Sequence, residues 1–106
     1  MGEQLERELR AAFADDPRVV EIRRYGLLAG VEFVPLAAAE ESDPHSPSDA
    51  VRTGRALLRA ARARGLTSRT HGATFQLAPP FSATDDDVRR VVAIVRDAAD
   101  ATYGIS

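Results

Sequence analysis

A chain of 106 residues is the size of one domain with one modest core, and 44% apolar with 28% charged residues is ordinary globular composition. A net charge of -2 excludes the broad cationic field that nucleic acid or anionic lipid requires, 6% aromatics leave few stacking platforms for single strands, and no apolar run is long enough to span a bilayer. There is no Cys and, since all 14 basic residues are Arg, no Lys, which removes disulfides, thiolate chemistry and side-chain Schiff bases together.

Residues 2–13 read as a helix, with Leu5, Leu9, Ala12 and Phe13 on one face and the pairs Glu3–Arg7 and Glu6–Arg10 in the favourable order. Asp15, Asp16 and Pro17 end it, because a residue before proline avoids the α region. Residues 19–25 alternate as a strand, Val20 and Ile22 to one side and Glu21 and Arg23 to the other, until Gly26 breaks it. Residues 27–34 are apolar at nearly every position, which predicts a central strand covered on both faces, with Gly30 marking a bulge or a close backbone approach. Two strands this near in sequence predict an antiparallel hairpin.

Residues 36–48, LAAAEESDPHSPS, predict a surface loop. Residues 49–64 follow as a helix with Val51, Leu57, Leu58 and Ala61 on its apolar stripe, Ser48 or Asp49 as cap and Gly65 just past its end. Its other face carries Arg52, Arg55, Arg59, Arg62 and Arg64, and in an acidic chain this reads as a solvated face. Residues 66–70 and 73–78 predict two short strands joined at His71-Gly72, with Phe75 and Leu77 alternating against Thr74 and Gln76, and Pro79-Pro80 ends the ladder. Thr84 followed by Asp85, Asp86 and Asp87 opens the last helix, whose face is Val88, Val91, Val92, Val95 and Ala99, with Gly104 beyond it.

The order αββαββα predicts an α+β two-layer sandwich: a small, mostly antiparallel sheet with helices on one side and its other face either solvated or covered from outside the chain. The opening residues show no secretion signal, so the expected location is the cytoplasm.

Few residues carry chemistry. His45 lies in the loop and His71 at a tight turn, without metal-ligand spacing, and the Asp85–Asp87 run is explained by the helix start, so no metal is expected. Glu32, inside an apolar strand, is either exposed at an edge or buried with a partner, an Arg above all. Arg69 stands late in a short strand, among Ser68, Thr70 and His71, where its planar fork can meet a carboxylate; by spacing alone it reads as a surface strand Arg.

Three segments change the weight given to Arg69. Residues 19–34, VVEIRRYGLLAGVEFV, residues 64–70, RGLTSRT, and residues 78–92, APPFSATDDDVRRVV, resemble in order and interval the C-terminal small domain of the class III aminotransferases, a pyridoxal-phosphate family of fold type I. One departure is Arg24, where the family has Gly. The resemblance implies a parent enzyme that exchanges an amino group between an amine or amino acid and a keto acid. Its large domain, absent here, holds the pyridoxal phosphate and its lysine, and this domain caps the substrate site. It implies for Arg69 the role of binding a substrate carboxylate, and it assigns no cofactor-binding or catalytic residue to this chain. A chain without Lys is expected to be inactive alone, with no cofactor bound. A small domain without its large domain would expose the face that domain covers, so self-association as a homodimer is expected. The competing reading is a stand-alone α+β binding or dimerisation module without catalysis.

Overall fold

Strand alternation and helix periodicity sort the chain into two layers. The structure, a computed structural model, describes residues 2–25, 28–36, 48–78 and 83–104. Its elements run α1 (Gly2–Ala12), β1 (Val19–Tyr25), β2 (Leu28–Phe33), α2 (Asp49–Ala63), β3 (Arg69–His71), β4 (Thr74–Leu77) and α3 (Asp85–Thr102). The four strands form one antiparallel sheet in the order β1-β2-β4-β3. The chain thus has the α+β architecture expected, and β2 is central. Gly26, Pro79, Pro80 and the expected loop at 37–47, His45 included, lie outside the described residues.

All three helices pack on one face. α3 is wedged between α1 and α2, α1 lies over β1 and β2, and α2 lies over β3 and β4. Leu5, Leu9 and Phe13 meet Val88, Val92 and Val95 of α3 above Ile22, Val31, Phe33, Phe75 and Leu77 of the sheet, all buried. Phe13 and Phe33 meet edge to face, ring centroids 5.7 Å apart. Removing a side chain of this size from water contributes about 1.5–3 kcal/mol, so this layer supplies most of the cohesion of the domain.

Several local expectations need correction; β3 covers Arg69–His71 rather than the expected residues 66–70. Val20 does not share the side of Ile22: the pairs Val19↔Phe33 and Glu21↔Glu32 leave Val20 as the extra residue of a bulge, 57% exposed, while Val19 packs on the core. β2 is covered on one face only, because Leu28 and Glu32 point away from the helices; Leu28 is 50% exposed. Gly30 sits in unbroken register, so it marks no bulge; a Cβ there would lie 3.3 Å from the Thr74 Cγ2.

The buried stripe of α2 is Thr53, Gly54, Leu57 and Ala61, with Val51 only half-buried. Thr53 Oγ1 donates to Asp49 O at 2.7 Å and accepts from Leu36 N at 2.8 Å, which ties the exit of β2 to this helix. Gly54 lets α2 settle on the β3–β4 turn, for a Cβ at this position would stand 2.1 Å from Gly72 O. Gly72 takes the first loop position with φ +59, the left-handed conformation that a two-residue hairpin needs there. The caps are as expected: Ser48 Oγ accepts from Val51 N, and Thr84 and Asp87 close a reciprocal box at 3.2 and 2.9 Å.

Charge fastens the layers at their margins. Arg18 donates to both oxygens of Asp16 and, at 2.8 Å, to Asp100 of α3, and its guanidinium lies over the Tyr103 ring. The Arg18 side chain keeps only 10% of its exposure. Arg10 pairs with Glu6 and donates to Ile22 O at 3.0 Å, capping a carbonyl on the open edge of β1, and Glu6 also pairs with Arg24. The expected Glu3–Arg7 pair is not formed.

Two outcomes follow from this packing. Gly54→Ala must push α2 off the turn, and should cost about 1–3 kcal/mol, read as a lower urea midpoint at unchanged slope. The hydrogen-bonded Arg18 guanidinium holds the Asp16 carboxyl below its ordinary value of 3.8, with burial opposing. The folded-state value is the lower one, so this stabilisation is complete above the ordinary value and lost as pH falls through the depressed one. Asp16→Asn should therefore be less stable than the parent chain at neutral pH and lose less stability on acidification, measured by denaturation at stepped pH.

Candidate functional site on the open face of the sheet

Because side chains alternate along each strand, the face away from the helices collects the other half of the sheet. Register places Arg23, Gly30, Gln76 and Arg69 in one row across all four strands. The next row is Glu21, Glu32, Thr74 and His71. Tyr25 and Leu28, paired and exposed, extend the face at one end.

The two arginines of the first row differ in state. Arg23 is held by Glu32 at 2.7 Å and by Glu21 at 2.8 Å, and the hydrogen bond to Glu32, with both carboxylates nearby, keeps its pKa above the usual range. Glu32 thus has the Arg partner that its place in an apolar strand called for, half-exposed rather than buried. The Arg69 side chain is exposed and makes no hydrogen bond or ion pair with any described residue. It lines an open groove of about 450 Å³ with Leu28, Thr67, Ser68, Gln76 and Ala78. A second groove of about 250 Å³ has Gly30 as its floor and Arg23, Tyr25, Leu28, His71, Thr74 and Gln76 around it. Leu28 and Gln76 line both.

The other candidates stay apart from this face or carry no ligand chemistry. Asp87 is engaged in the helix cap, where the Thr84 backbone N–H keeps its carboxyl below the usual range. Among the described residues no group of three His, Asp or Glu side chains could hold a metal ion. Arg55, Arg59, Arg62 and Arg64 are exposed along α2, and Arg52 pairs with Asp49. No helix of the described residues is long and apolar enough to cross a membrane. The pairing of Arg23 with Glu32 depends on strand register; its only signal in the sequence is the Glu21, Arg23 alternation and a Glu at position 32 of the neighbouring strand.

No family model matches the chain. Among curated proteins it is 37% identical over 90 residues to adenosylmethionine-8-amino-7-oxononanoate aminotransferase of Nitratidesulfovibrio vulgaris, covering 85% of this chain and 16% of that protein. It is likewise 37% identical over 92 residues to gamma-aminobutyrate transaminase 1, mitochondrial, of Oryza sativa subsp. indica, covering 86% and 17%. Among solved structures, the omega transaminase from Pseudomonas jessenii in complex with PMP superposes with a TM-score of 0.80 at 28% identity, over 97% of this chain and 22% of that one. The chain matches a fragment of an aminotransferase. It spans only 16 to 22% of the length of these relatives, and its α+β fold is that of the transaminase part on which it superposes.

Proposed function

We propose that this chain is the C-terminal small domain of a class III pyridoxal-phosphate-dependent aminotransferase, where its open sheet face caps the substrate site and Arg69 binds a substrate carboxylate. The parent would transfer an amino group from an amine or amino acid to a keto acid. The observation that carries the reading is Arg69, without an ion-pair partner among the described residues, in a groove on the one sheet face that no described helix covers, in a chain matching about a fifth of several transaminases. Without the rest of a parent, the same face with Tyr25 and Leu28 exposed suits a symmetric homodimer, as a stand-alone module would form.

The residues present do not fit the cofactor. Fixing an aldehyde cofactor covalently takes a side-chain amine, and every basic residue of the chain is a guanidinium or an imidazole. The cofactor and the proton transfers of the reaction therefore belong to the large domain. The role left to this chain is orientation: a planar, permanently charged fork held on a strand, able to donate to both oxygens of a carboxylate.

Purified chain supplied with pyridoxal phosphate, an amino donor and pyruvate should show no turnover; turnover would overturn the division of labour. A reading frame extending upstream of Met1 through several hundred residues with a strand-borne lysine supports the enzyme, and a promoter and start codon immediately upstream support the module. In the full-length enzyme, Arg69→Ala should remove about 1.5–3 kcal/mol of binding, roughly ten- to a hundredfold, for carboxylate-bearing substrates, and much less for simple amines. Equal losses for both would refute the assigned role.

A further inference from the structure

Arg23 and Arg69 share a row, but their neighbours on this face differ in charge. Beside Arg23 stand Glu21, two residues before it, and Glu32 on the next strand, and it pairs with both. Around Arg69 stand Gln76 directly opposite, His71 and Thr74 one row along, and Thr67 and Ala78 in its groove, and none of these is acidic. Residues opposite each other on antiparallel strands hold their Cβ atoms about 5 Å apart, so the Gln76 amide reaches the same space as the Arg69 guanidinium. Phe75 and Leu77 on either side of Gln76 are buried, which turns its side chain to the open face. The Ser68 hydroxyl donates to Gln76 O and fastens the two strands beside the pair. The Gln76 side chain itself makes no hydrogen bond with any described residue.

We infer that Gln76 is the second arm of the carboxylate site. The inference rests on Arg69 as the carboxylate clamp and deepens it. The guanidinium fork donates one N–H to each carboxylate oxygen, and each oxygen keeps a further acceptor position. The Gln76 Nε2–H fills one of these from the side of β4. The place requires a donor without charge. An acid opposite Arg69 would take the guanidinium as Glu32 takes that of Arg23, and an apolar residue would leave the carboxylate with one arm.

The full-length transaminase carrying this chain is assayed with two amino acceptors, pyruvate and benzaldehyde, the second having the carbonyl but no carboxylate. Gln76 is exposed, so Gln76→Leu and Gln76→Glu keep the fold. Gln76→Leu should raise KM for pyruvate by about tenfold and leave the constants for benzaldehyde within about twofold. Gln76→Glu, nearly the same shape, should lower kcat/KM for pyruvate further, by about a hundredfold, because it occupies Arg69 itself. Equal changes for the two acceptors, or a KM for pyruvate that neither variant moves, overturn the inference. Arg69→Ala separates it from the reading beneath it. If Arg69→Ala raises KM for pyruvate alone while both Gln76 variants leave it fixed, the clamp stands and its second arm falls. If Arg69→Ala treats both acceptors alike, the clamp falls and the inference with it.

Discussion

The structure depends on one constraint: three helices cover a single face of a four-stranded antiparallel sheet. Once that face is chosen, strand parity assigns every residue. Ile22, Val31 and Phe75 are drawn into the core row, and Arg23, Gly30, Gln76 and Arg69 are put on the other side. A slip of one residue would turn Arg23 inward in β1, or Glu32 inward and Phe33 outward in β2, or Gln76 inward and Phe75 outward in β4, each at a cost of several kcal/mol. The apolar packing of Phe33, Phe75 and the valines of α3 therefore also specifies the polar face, although none of those side chains touches it.

The same constraint explains which features were legible in the sequence. Helix periodicity and alternation are local, so the order αββαββα, the bounds of β1 and the capping box at Thr84 could be read directly. The bulge at Val20 could not, because it exists only in the pairing of β1 with β2, and a period of two assigns Val20 to the wrong side. The apolar run around β2 misled in a similar way. Its buried half is real, yet Gly30 and Glu32 lie on the open face, and composition along one strand cannot show how many faces a sheet has covered. Val51 against Thr53 and Gly54 is a third instance: hydrophobicity favours Val, while the close approach of Gly72 O favours the residue without a side chain.

The site was legible only in part, for the same reason. Arg69 was picked out by its resemblance to a family segment and by its small polar neighbours, both local signals. Its contrast with Arg23 was not visible, because the carboxylate of Glu32 comes from another strand. Two arginines of equal formal charge thus differ in what they can do. One is paired with two carboxylates within the sheet, and the side chain of the other has no ion-pair partner among the described residues.

The absence of lysine sharpens this division. An arginine can hold an anion but cannot serve as an amine nucleophile, so a chain whose basic side chains are guanidiniums and imidazoles offers no side-chain amine for an imine. The role proposed for Arg69 places its own demand on the scaffold, because a misplaced clamp loses most of its value. Here the demand is met at the margins: Arg18 ties the entry of β1 to Asp100 at the end of α3, and Gly54 seats α2 on the hairpin that carries Arg69. β3 is a short edge strand with only β4 beside it, so the contact of α2 with its inner side, at Thr70, is what keeps it from pivoting. The inner face of a three-residue strand thereby sets the aim of the guanidinium on its outer face.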